Sequence, residues 1–195
     1  MFLFVMCCVG KSLTTITLLH TVLTHPSLVV SAGPTAQRMF RTVLMVVPVN
    51  TLMNWEDEVM KWTGNLHTPL NITNLGAVMK SYREKEVLKW QREGGILVLG
   101  DALFRTMNKF ILSHGQPDIL VLDEAHTMLK NSSNKTFTML NKIQTKRRIM
   151  LTGTPLQNNT TELYHMIEFV RPGLFARCHD VKSEHDFEMK FRYVL

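Results

Sequence analysis

At residues 119–126 the chain reads ILVLDEAH, in which four apolar residues are followed at once by two carboxylates. A short apolar run without polar alternation is typical of a strand that is buried on both faces of a sheet. Runs of the same kind recur along the chain between amphipathic stretches. The predicted strands are Phe2–Cys7, Thr42–Val47, Asn71–Leu75, Ile96–Leu99, Ile119–Leu122 and Arg148–Leu151.

The stretches between these runs carry the apolar spacing and the end signals of helices. They predict helices over Lys11–Thr24, Thr51–Trp62, Ala77–Glu93 and Ala102–Ser113, with Asp101 as the N-cap of the last one. Strands that alternate with helices imply right-handed crossovers and a parallel sheet that is covered on both sides. The predicted fold class is therefore an α/β, three-layer sandwich with a mostly parallel sheet.

The composition of the 195 residues, 45% apolar and 19% charged, excludes disordered, collagen-like and coiled-coil proteins. The longest apolar stretch, Met1–Val9, is about half the roughly 20 residues that a membrane-crossing helix requires, so we expect no membrane partner. Three cysteines without C-x-x-C spacing indicate neither a disulfide framework nor a zinc site, and they favour a reducing, intracellular setting. The net charge of +6 permits an anionic partner such as nucleic acid but does not require one.

The first candidate site is Gly10-Lys11-Ser12, which follows the first predicted strand and opens the first predicted helix. Ligands of a parallel sheet bind beyond the carboxyl ends of its strands. Backbone N–H groups, the helix dipole and the lysine can hold phosphates there, and the serine hydroxyl would ligate Mg²⁺. The match to G-x-x-x-x-G-K-[ST] is partial because Val5 stands at the first glycine position, so a chance match stays open.

The second candidate site is Asp123-Glu124-Ala125-His126, at the end of the run that opens this section. Its carboxylates lie where a metal–nucleotide complex would sit. Asp123 would hold Mg²⁺, directly or through water, and Glu124 would orient and deprotonate the attacking water. A solvated acidic turn is the alternative. If the site is real, Lys11 and Asp123 should meet across neighbouring strands around one triphosphate.

Polar residues follow two further predicted strands. The hydroxyls of Thr152 and Thr154 flank Gly153 and could reach both the acidic motif and a bound strand, although a plain turn is the alternative. At residues 46–55 the chain reads VVPVNTLMNW and joins a strand to a helix. The exposed amino end of that helix could donate N–H bonds to a phosphodiester.

Two tryptophans and a group of basic residues lie near these motifs. We predict that Trp55 and Trp62 are core anchors. The basic residues could contact a nucleic-acid backbone or could form a solvated helix end. This basic group consists of Lys142, Lys146, Arg147 and Arg148.

Taken in chain order, the motifs at residues 10–12, 47–55, 94–105, 123–126 and 151–159 resemble those of the Swi/Snf-type ATPases of helicase superfamily two. Within that family, PVNTLMNW, GGILVLG and RRI leading into LTGTPLQNN look most like the ATRX branch of chromatin remodellers. The resemblance implies a RecA-like P-loop NTPase lobe. It also implies ATP hydrolysis with Mg²⁺ between two such lobes, translocation along double-stranded DNA, and remodelling of nucleosomes or other protein–DNA complexes in the nucleus.

The resemblance also implies roles for residues at matching positions. Gly10, Lys11 and Ser12 match the phosphate loop, with Ser12 and Asp123 at the metal and Glu124 at the water. A coupling and DNA-contacting group matches as well. It consists of His126, Thr152, Thr154, Asn50 and Thr51.

Two departures from the family pattern bear on activity. Cys8 stands where the family has a glycine, and a Cβ there crowds the loop if the backbone needs a positive φ. The family's adenine-gripping residues and second lobe are expected to be missing, including an arginine finger worth roughly 10³- to 10⁵-fold in rate in related enzymes. We expect this chain alone to turn over ATP hardly at all.

The domain prediction follows from the resemblance and from helix signals near the end of the chain. Residues 1–175 are predicted to be the first lobe, incomplete at its N-terminus, and residues 176–195 the helical start of a connection toward the second lobe. A helical pattern after Thr161 breaks at Pro172-Gly173 and resumes at Ser183, which heads an S-x-x-D start.

Two other functions stay open. One is a catalytically silent DNA- or chromatin-binding module that has lost its nucleotide through Cys8. The other is a fragment of a DEAH-type RNA helicase. The LTGTPLQNN string at residues 151–159 argues against the second, because such helicases usually have Ser-Ala-Thr there.

Overall fold

Six strands form one all-parallel sheet in the computed structural model of this chain. They are β1 (Val5–Met6), β2 (Thr42–Val47), β3 (Ile72–Asn74), β4 (Gly95–Gly100), β5 (Ile119–Leu122) and β6 (Arg148–Leu151). Their order across the sheet is β1-β6-β5-β2-β4-β3. The structure describes residues 5–6, 10–29, 38–129, 135–153, 160–177, 181 and 183–191.

Helices cover both faces of this sheet. They are α1 (Lys11–Thr24), α2 (Leu52–Thr63), α3 (Arg83–Glu93), α4 (Asp101–Ser113), α5 (Ala125–Met128), α6 (Lys135–Leu140), α7 (Thr160–Val170) and α8 (Glu184–Phe191). Strand β2 is fully buried and shows how the layers form. Its residues Val43 and Met45 pack with α1 and α2, whereas Leu44 and Val46 pack with α3, α4, α6 and α7. The predicted three-layer sandwich is confirmed.

The strand predictions hold closely in the middle of the sheet, where β2, β5 and β6 have the predicted bounds. Strand β3 is one residue shorter at each end than predicted, and β4 is one residue longer at each end. Of the predicted first strand, Val5–Met6 pairs with β6, and the remaining residues lie outside the described part of the chain.

Three helix predictions are wrong at their amino ends. Helix α2 begins at Leu52 rather than at Thr51, and it ends at Thr63 rather than at Trp62. Helix α3 begins at Arg83 rather than at Ala77. The side-chain oxygen of Asn74 accepts hydrogen bonds from the N–H groups of Gly76 and Ala77 and makes a turn there. Met79 then has a non-helical ψ of 140°, and Lys80–Tyr82 forms a 3₁₀ helix before α3 starts. Asp101 is the first residue of α4 rather than its N-cap, which is Gly100. Its carboxylate accepts a hydrogen bond from Arg105, one turn on.

The last part of the described chain follows the predicted pattern. Helix α7 ends before Pro172, and α8 begins after a reciprocal cap in which Ser183 and Asp186 exchange side-chain and backbone hydrogen bonds. Phe187 of α8 packs with Phe175 and Val181 in a small separate apolar cluster. The domain boundary at residue 175 stays a prediction. Within the described ranges, no helix combines the length and the hydrophobicity needed to cross a bilayer.

Candidate functional site

The carboxyl ends of β1, β6 and β5 bring the first two candidate motifs together. Strand β6 lies between the other two, so the expectation that the strands before Lys11 and Asp123 are neighbours is wrong. That the two residues meet around one triphosphate stays a prediction. An additional strand separates them, and the observed contact is with the next residue. Nζ of Lys11 lies 3.1 Å from Oε1 of Glu124. Gly153, just after β6, lies beside this pair, since a Cβ placed on it would be 3.5 Å from the lysine Nζ.

Glu124 has an unusual backbone conformation. Its φ of 47° and ψ of 46° are left-handed, and among the described residues it is the only non-glycine residue with a positive φ. Such a conformation costs a residue with a Cβ of the order of 1–3 kcal/mol and persists only where the surroundings enforce it. Here it lies between β5 and α5 as the N-cap residue of α5, and Oε2 of Glu124 accepts a hydrogen bond from the N–H of Gly153 at 3.3 Å.

The electrostatic surroundings keep Glu124 ionised. Partial burial by itself raises the pKa of this carboxyl, but hydrogen bonds from Lys11 and from the Gly153 N–H, together with the lysine charge and His126, outweigh burial and hold the pKa below its ordinary value. A group with this pKa is a carboxylate at neutral pH. It can therefore accept a proton, as a general base must.

Asp123 is held more firmly than its neighbour and is only 7% exposed. Its Oδ1 accepts a hydrogen bond from the N–H of Glu124 at 3.0 Å, and its Oδ2 accepts one from the indole N–H of Trp55 at 2.9 Å. The predicted core position of Trp55 is confirmed. Its bond to Asp123 was not predicted, although a buried indole N–H must find an acceptor, and that requirement was a usable signal.

His126 and Thr152 connect the ends of β5 and β6. Nδ1 of the imidazole lies 2.7 Å from the hydroxyl oxygen of Thr152, which is fully buried, and 3.4 Å from Oε2 of Glu124. The acidic motif and the Thr152-Gly153 turn thus share one polar network, as the sequence predicts. Thr154 and Cys8 lie outside the described residues.

The phosphate-loop candidates lie at the start of α1. Gly10 is the N-cap residue, with a φ of 93° that favours glycine, and its lack of a side chain leaves the first turn without a side-chain cap from that position. No acidic residue occupies this first turn. Its N–H groups, beside half-buried Lys11 and Ser12, form the kind of helix end that binds an anion.

The predicted DNA contacts lie at the carboxyl end of β2. Val49–Thr51 forms a 3₁₀ turn that leads into α2. Asn50 is exposed there, and the hydroxyl of Thr51 donates to the carbonyl of Pro48 at 2.9 Å. Because β2 is the neighbour of β5 in the sheet, this turn and Asp123 lie at adjacent strand ends.

Part of the predicted basic cluster is structural. Arg148 is 6% exposed, and burial lowers the pKa of its guanidinium. Its nitrogens donate to the carbonyls of Ile143, Thr145 and Phe169, so this residue is not a surface phosphate contact. The guanidinium of Arg147 lies over the ring of Phe40. Lys142 and Lys146 are exposed, so both interpretations stay open for them.

The prediction that Trp62 is a core anchor is wrong. Its side chain is 42% exposed. The indole N–H donates to Glu58 one turn earlier in α2, and the ammonium of Lys61 lies over the ring. Partners on the surface of its own helix hold the ring outside the core.

Comparisons with known proteins identify similar sequences. The family model described as the SNF2-related domain matches residues 6–192. Transcriptional regulator ATRX of Mus musculus is 32% identical in an alignment of 192 residues that covers 89% of this chain and 7% of that protein. Protein CHROMATIN REMODELING 20 of Arabidopsis thaliana is 37% identical in an alignment of 159 residues that covers 73% of this chain and 10% of that protein. The DNA repair and recombination protein RAD54-like of Mus musculus is 32% identical, with 89% of this chain and 22% of that protein covered.

A solved structure shares the fold. It is described as the Sulfolobus solfataricus SWI2/SNF2 ATPase core in complex with dsDNA, and it aligns with a TM-score of 0.65 at 23% identity over 97% of this chain and 34% of that one. At this identity the match shows the fold alone. Together the matches confirm the resemblance that the motifs predicted. The chain spans at most about a fifth of the length of these curated relatives.

Proposed function

This chain belongs to the family of SNF2-related domains, and we propose that it is the ATP-binding lobe of an ATP-dependent DNA translocase that remodels chromatin. The polar network at the ends of β1, β6 and β5 carries this proposal, because it joins a phosphate-loop lysine, a general-base candidate and the Thr152-Gly153 turn. The partners are double-stranded DNA and nucleosomal or other chromatin proteins, and the location is the nucleus. Hydrolysis requires a second RecA-like lobe.

The residues present fit ATP and Mg²⁺. The uncapped first turn of α1, with Gly10, Lys11 and Ser12, suits phosphates. The Ser12 hydroxyl and the Asp123 carboxylate supply oxygen ligands, which Mg²⁺ prefers. When bound, the metal neutralises charge on the phosphates.

Glu124 acts in this proposal as the base that orients and deprotonates the attacking water. The group is ionised at neutral pH, as a base must be, and its lowered pKa means that release of the Lys11 ammonium would strengthen it as a proton acceptor. The Lys11 ammonium stabilises the charged form of this carboxylate, and its Nζ lies 3.1 Å from Oε1. The same ammonium is the phosphate contact, so nucleotide and Glu124 compete for its hydrogen bonds.

The coupling role falls to His126 and Thr152, with Thr154 as a further predicted member. The 2.7 Å contact between His126 and Thr152 links the strand that ends in the acidic motif to the neighbouring strand. Asn50 and Thr51 contact the DNA backbone at the start of α2. In these assignments the carboxyl ends of β2, β5 and β6 form one surface, which couples DNA contact after β2 to the nucleotide site.

Titration of this chain with a fluorescent ATP analogue and Mg²⁺ tests the proposal. We expect saturable binding that weakens at least tenfold in Lys11→Ala, because the variant loses the phosphate-binding ammonium. Lys142→Ala is the matched control, since it removes an exposed lysine elsewhere and should leave binding unchanged.

The same titration separates the catalytically silent module from the motor. Absence of saturable binding in the natural chain, with none regained in Cys8→Gly, supports the silent module. Binding that appears only in Cys8→Gly shows a lobe that has lost its nucleotide through that one residue. The SNF2-related family match favours either of these over the RNA-helicase alternative.

A further inference from the structure

The buried contact between Trp55 and Asp123 joins a helix to the acidic motif across 68 positions of sequence. The indole N–H donates to Oδ2 of Asp123 at 2.9 Å, and the two residues are 2% and 7% exposed. A buried hydrogen bond to a charged acceptor is strong and sensitive to geometry. The orientation of the Asp123 carboxylate therefore depends on where Trp55 stands.

Each oxygen of that carboxylate has one N–H donor. Oδ1 accepts from the backbone N–H of Glu124, and that donor is set by the left-handed conformation of Glu124 itself. Oδ2 accepts from Trp55, which is part of the apolar core between the sheet and helices α1 and α2. The ring is fixed by this core, so it is a rigid donor.

We propose that Trp55 is a positioning residue for Asp123, which aims the carboxylate at the Mg²⁺ of a bound nucleotide. The inference rests on the proposed function, in which Asp123 holds the metal. Groups that orient a metal ligand typically change metal affinity by 10- to 100-fold when they are removed. Loss of the indole N–H should therefore weaken the metal-dependent part of nucleotide binding and spare the part that needs no metal.

Trp90 provides a matched control within the same chain. It is also 2% exposed, and its indole N–H also donates at 2.9 Å, but to the backbone carbonyl of Gly95. Trp55→Phe and Trp90→Phe thus remove the same N–H group and a similar volume from two helices, α2 and α3, that pack on the sheet. Only the first touches the acidic motif.

The measurement is the dissociation constant of a fluorescent ATP analogue with Mg²⁺ and with EDTA, in the full chain and in both variants. In the natural chain the ratio of the two constants gives the gain from the metal. We expect Trp55→Phe to reduce that gain roughly tenfold with the EDTA constant within twofold of the natural one. Trp90→Phe should leave the gain unchanged.

Three outcomes are distinct. The expected reduction in Trp55→Phe alone supports the inference. An equal gain in Trp55→Phe and Trp90→Phe overturns it and leaves the proposed function intact. A natural chain that gains nothing from Mg²⁺ overturns the proposed function and the positioning role together.

A measurement without substitutions covers the case in which Trp55→Phe does not fold. The chain has three tryptophans, so its ¹H–¹⁵N spectrum has three indole signals. Addition of the Mg²⁺–nucleotide should shift the Trp55 signal relative to the EDTA–nucleotide sample and leave those of Trp62 and Trp90 in place. A Trp55 signal that is as unresponsive as the other two overturns the inference.

Discussion

Acidic residues lie just beyond both ends of strand β5, and different groups hold the carboxylates of Asp118 before it and Glu124 after it. At the amino end, a single oxygen of Asp118 accepts hydrogen bonds from the N–H of Arg41, the N–H of Thr42 and the hydroxyl of Thr42, at 2.8, 2.9 and 3.1 Å. At the carboxyl end, Glu124 accepts from one backbone N–H and from the ammonium of Lys11. Most donors to Asp118 are backbone N–H groups, whereas Glu124 accepts one of its hydrogen bonds from a side chain that can exchange.

This difference separates a carboxylate that is committed to the fold from one whose partner can exchange, as the proposed base requires. Backbone donors of a paired strand cannot leave Asp118 without unpairing β2, so that group is committed to the fold. The ammonium of Lys11 can leave Glu124 at little cost, because the pair is partly exposed and such pairs contribute about 0–1 kcal/mol. Glu124 is therefore free to exchange partners when a ligand arrives. Substitutions at the two ends should separate activity from stability.

The largest expected effect is on hydrolysis. When this chain is joined to the second lobe of an SNF2-family ATPase, Glu124→Gln should keep nucleotide binding and reduce the rate of hydrolysis by about 10²- to 10⁴-fold, because the amide cannot take a proton from water. Steady-state phosphate release measures the rate. Asp118→Asn is the control and should hydrolyse ATP at nearly the natural rate. Unchanged turnover in Glu124→Gln would refute its assignment as the base.

The next effect is on stability and lies at the other end of β5. Asp118→Ala should lower the free energy of unfolding by about 3 kcal/mol, because three donors lose their acceptor at once. All three bonds end on Oδ2, so Asp118→Asn can restore an oxygen there and should cost only about 1 kcal/mol. Urea denaturation measures both. Equal losses in the two variants would mean that the charge, rather than the acceptor, stabilises this end.

The backbone of Glu124 gives a smaller effect of unusual sign. At most positions glycine is less stabilising than alanine, but a left-handed residue reverses the order. Glu124→Gly should therefore be more stable than Glu124→Ala by about 1 kcal/mol, although both lose hydrolysis. The difference between two variants that both lack the carboxylate isolates the backbone term. Urea denaturation that ranks alanine above glycine would contradict the left-handed conformation.

The sequence predicts the layers of this fold well because burial on both faces of a parallel sheet leaves a clear mark. Strand β2 is one unbroken apolar run, and its predicted bounds, 42–47, match the structure. The predicted start of the third helix failed at Ala77, where the side chain of Asn74 competes with helix formation. Local side-chain bonds of that kind are not visible in hydrophobic periodicity.

For the site, the sequence predicts which residues gather but not which of them touch. The order of strands in space differs from their order in the chain, so β6 separates the strands that precede Lys11 and Asp123. The contact of Lys11 with Glu124 depends on a positive φ, and glutamate gives no sequence signal for one. Trp55 looked like a core residue and is one, yet its N–H serves Asp123.

The smallest expected effect is on the pH dependence of stability, and it concerns Glu124 at the carboxyl end of β5. Its pKa lies below the ordinary 4.5 in the folded chain. Its contribution to stability is thus complete above about pH 4.5 and is lost as the pH falls through the folded value. At pH 6 the natural chain should be more stable than Glu124→Gln by less than about 1 kcal/mol, because the pair is partly exposed. This advantage should therefore shrink toward pH 3. In a Lys11→Met background most of this pH dependence should disappear, since the lysine supplies the hydrogen bond that opposes burial. Urea denaturation at both pH values measures these differences, and a Lys11→Met background that keeps the full dependence would show that the Gly153 N–H and His126 hold the carboxylate instead.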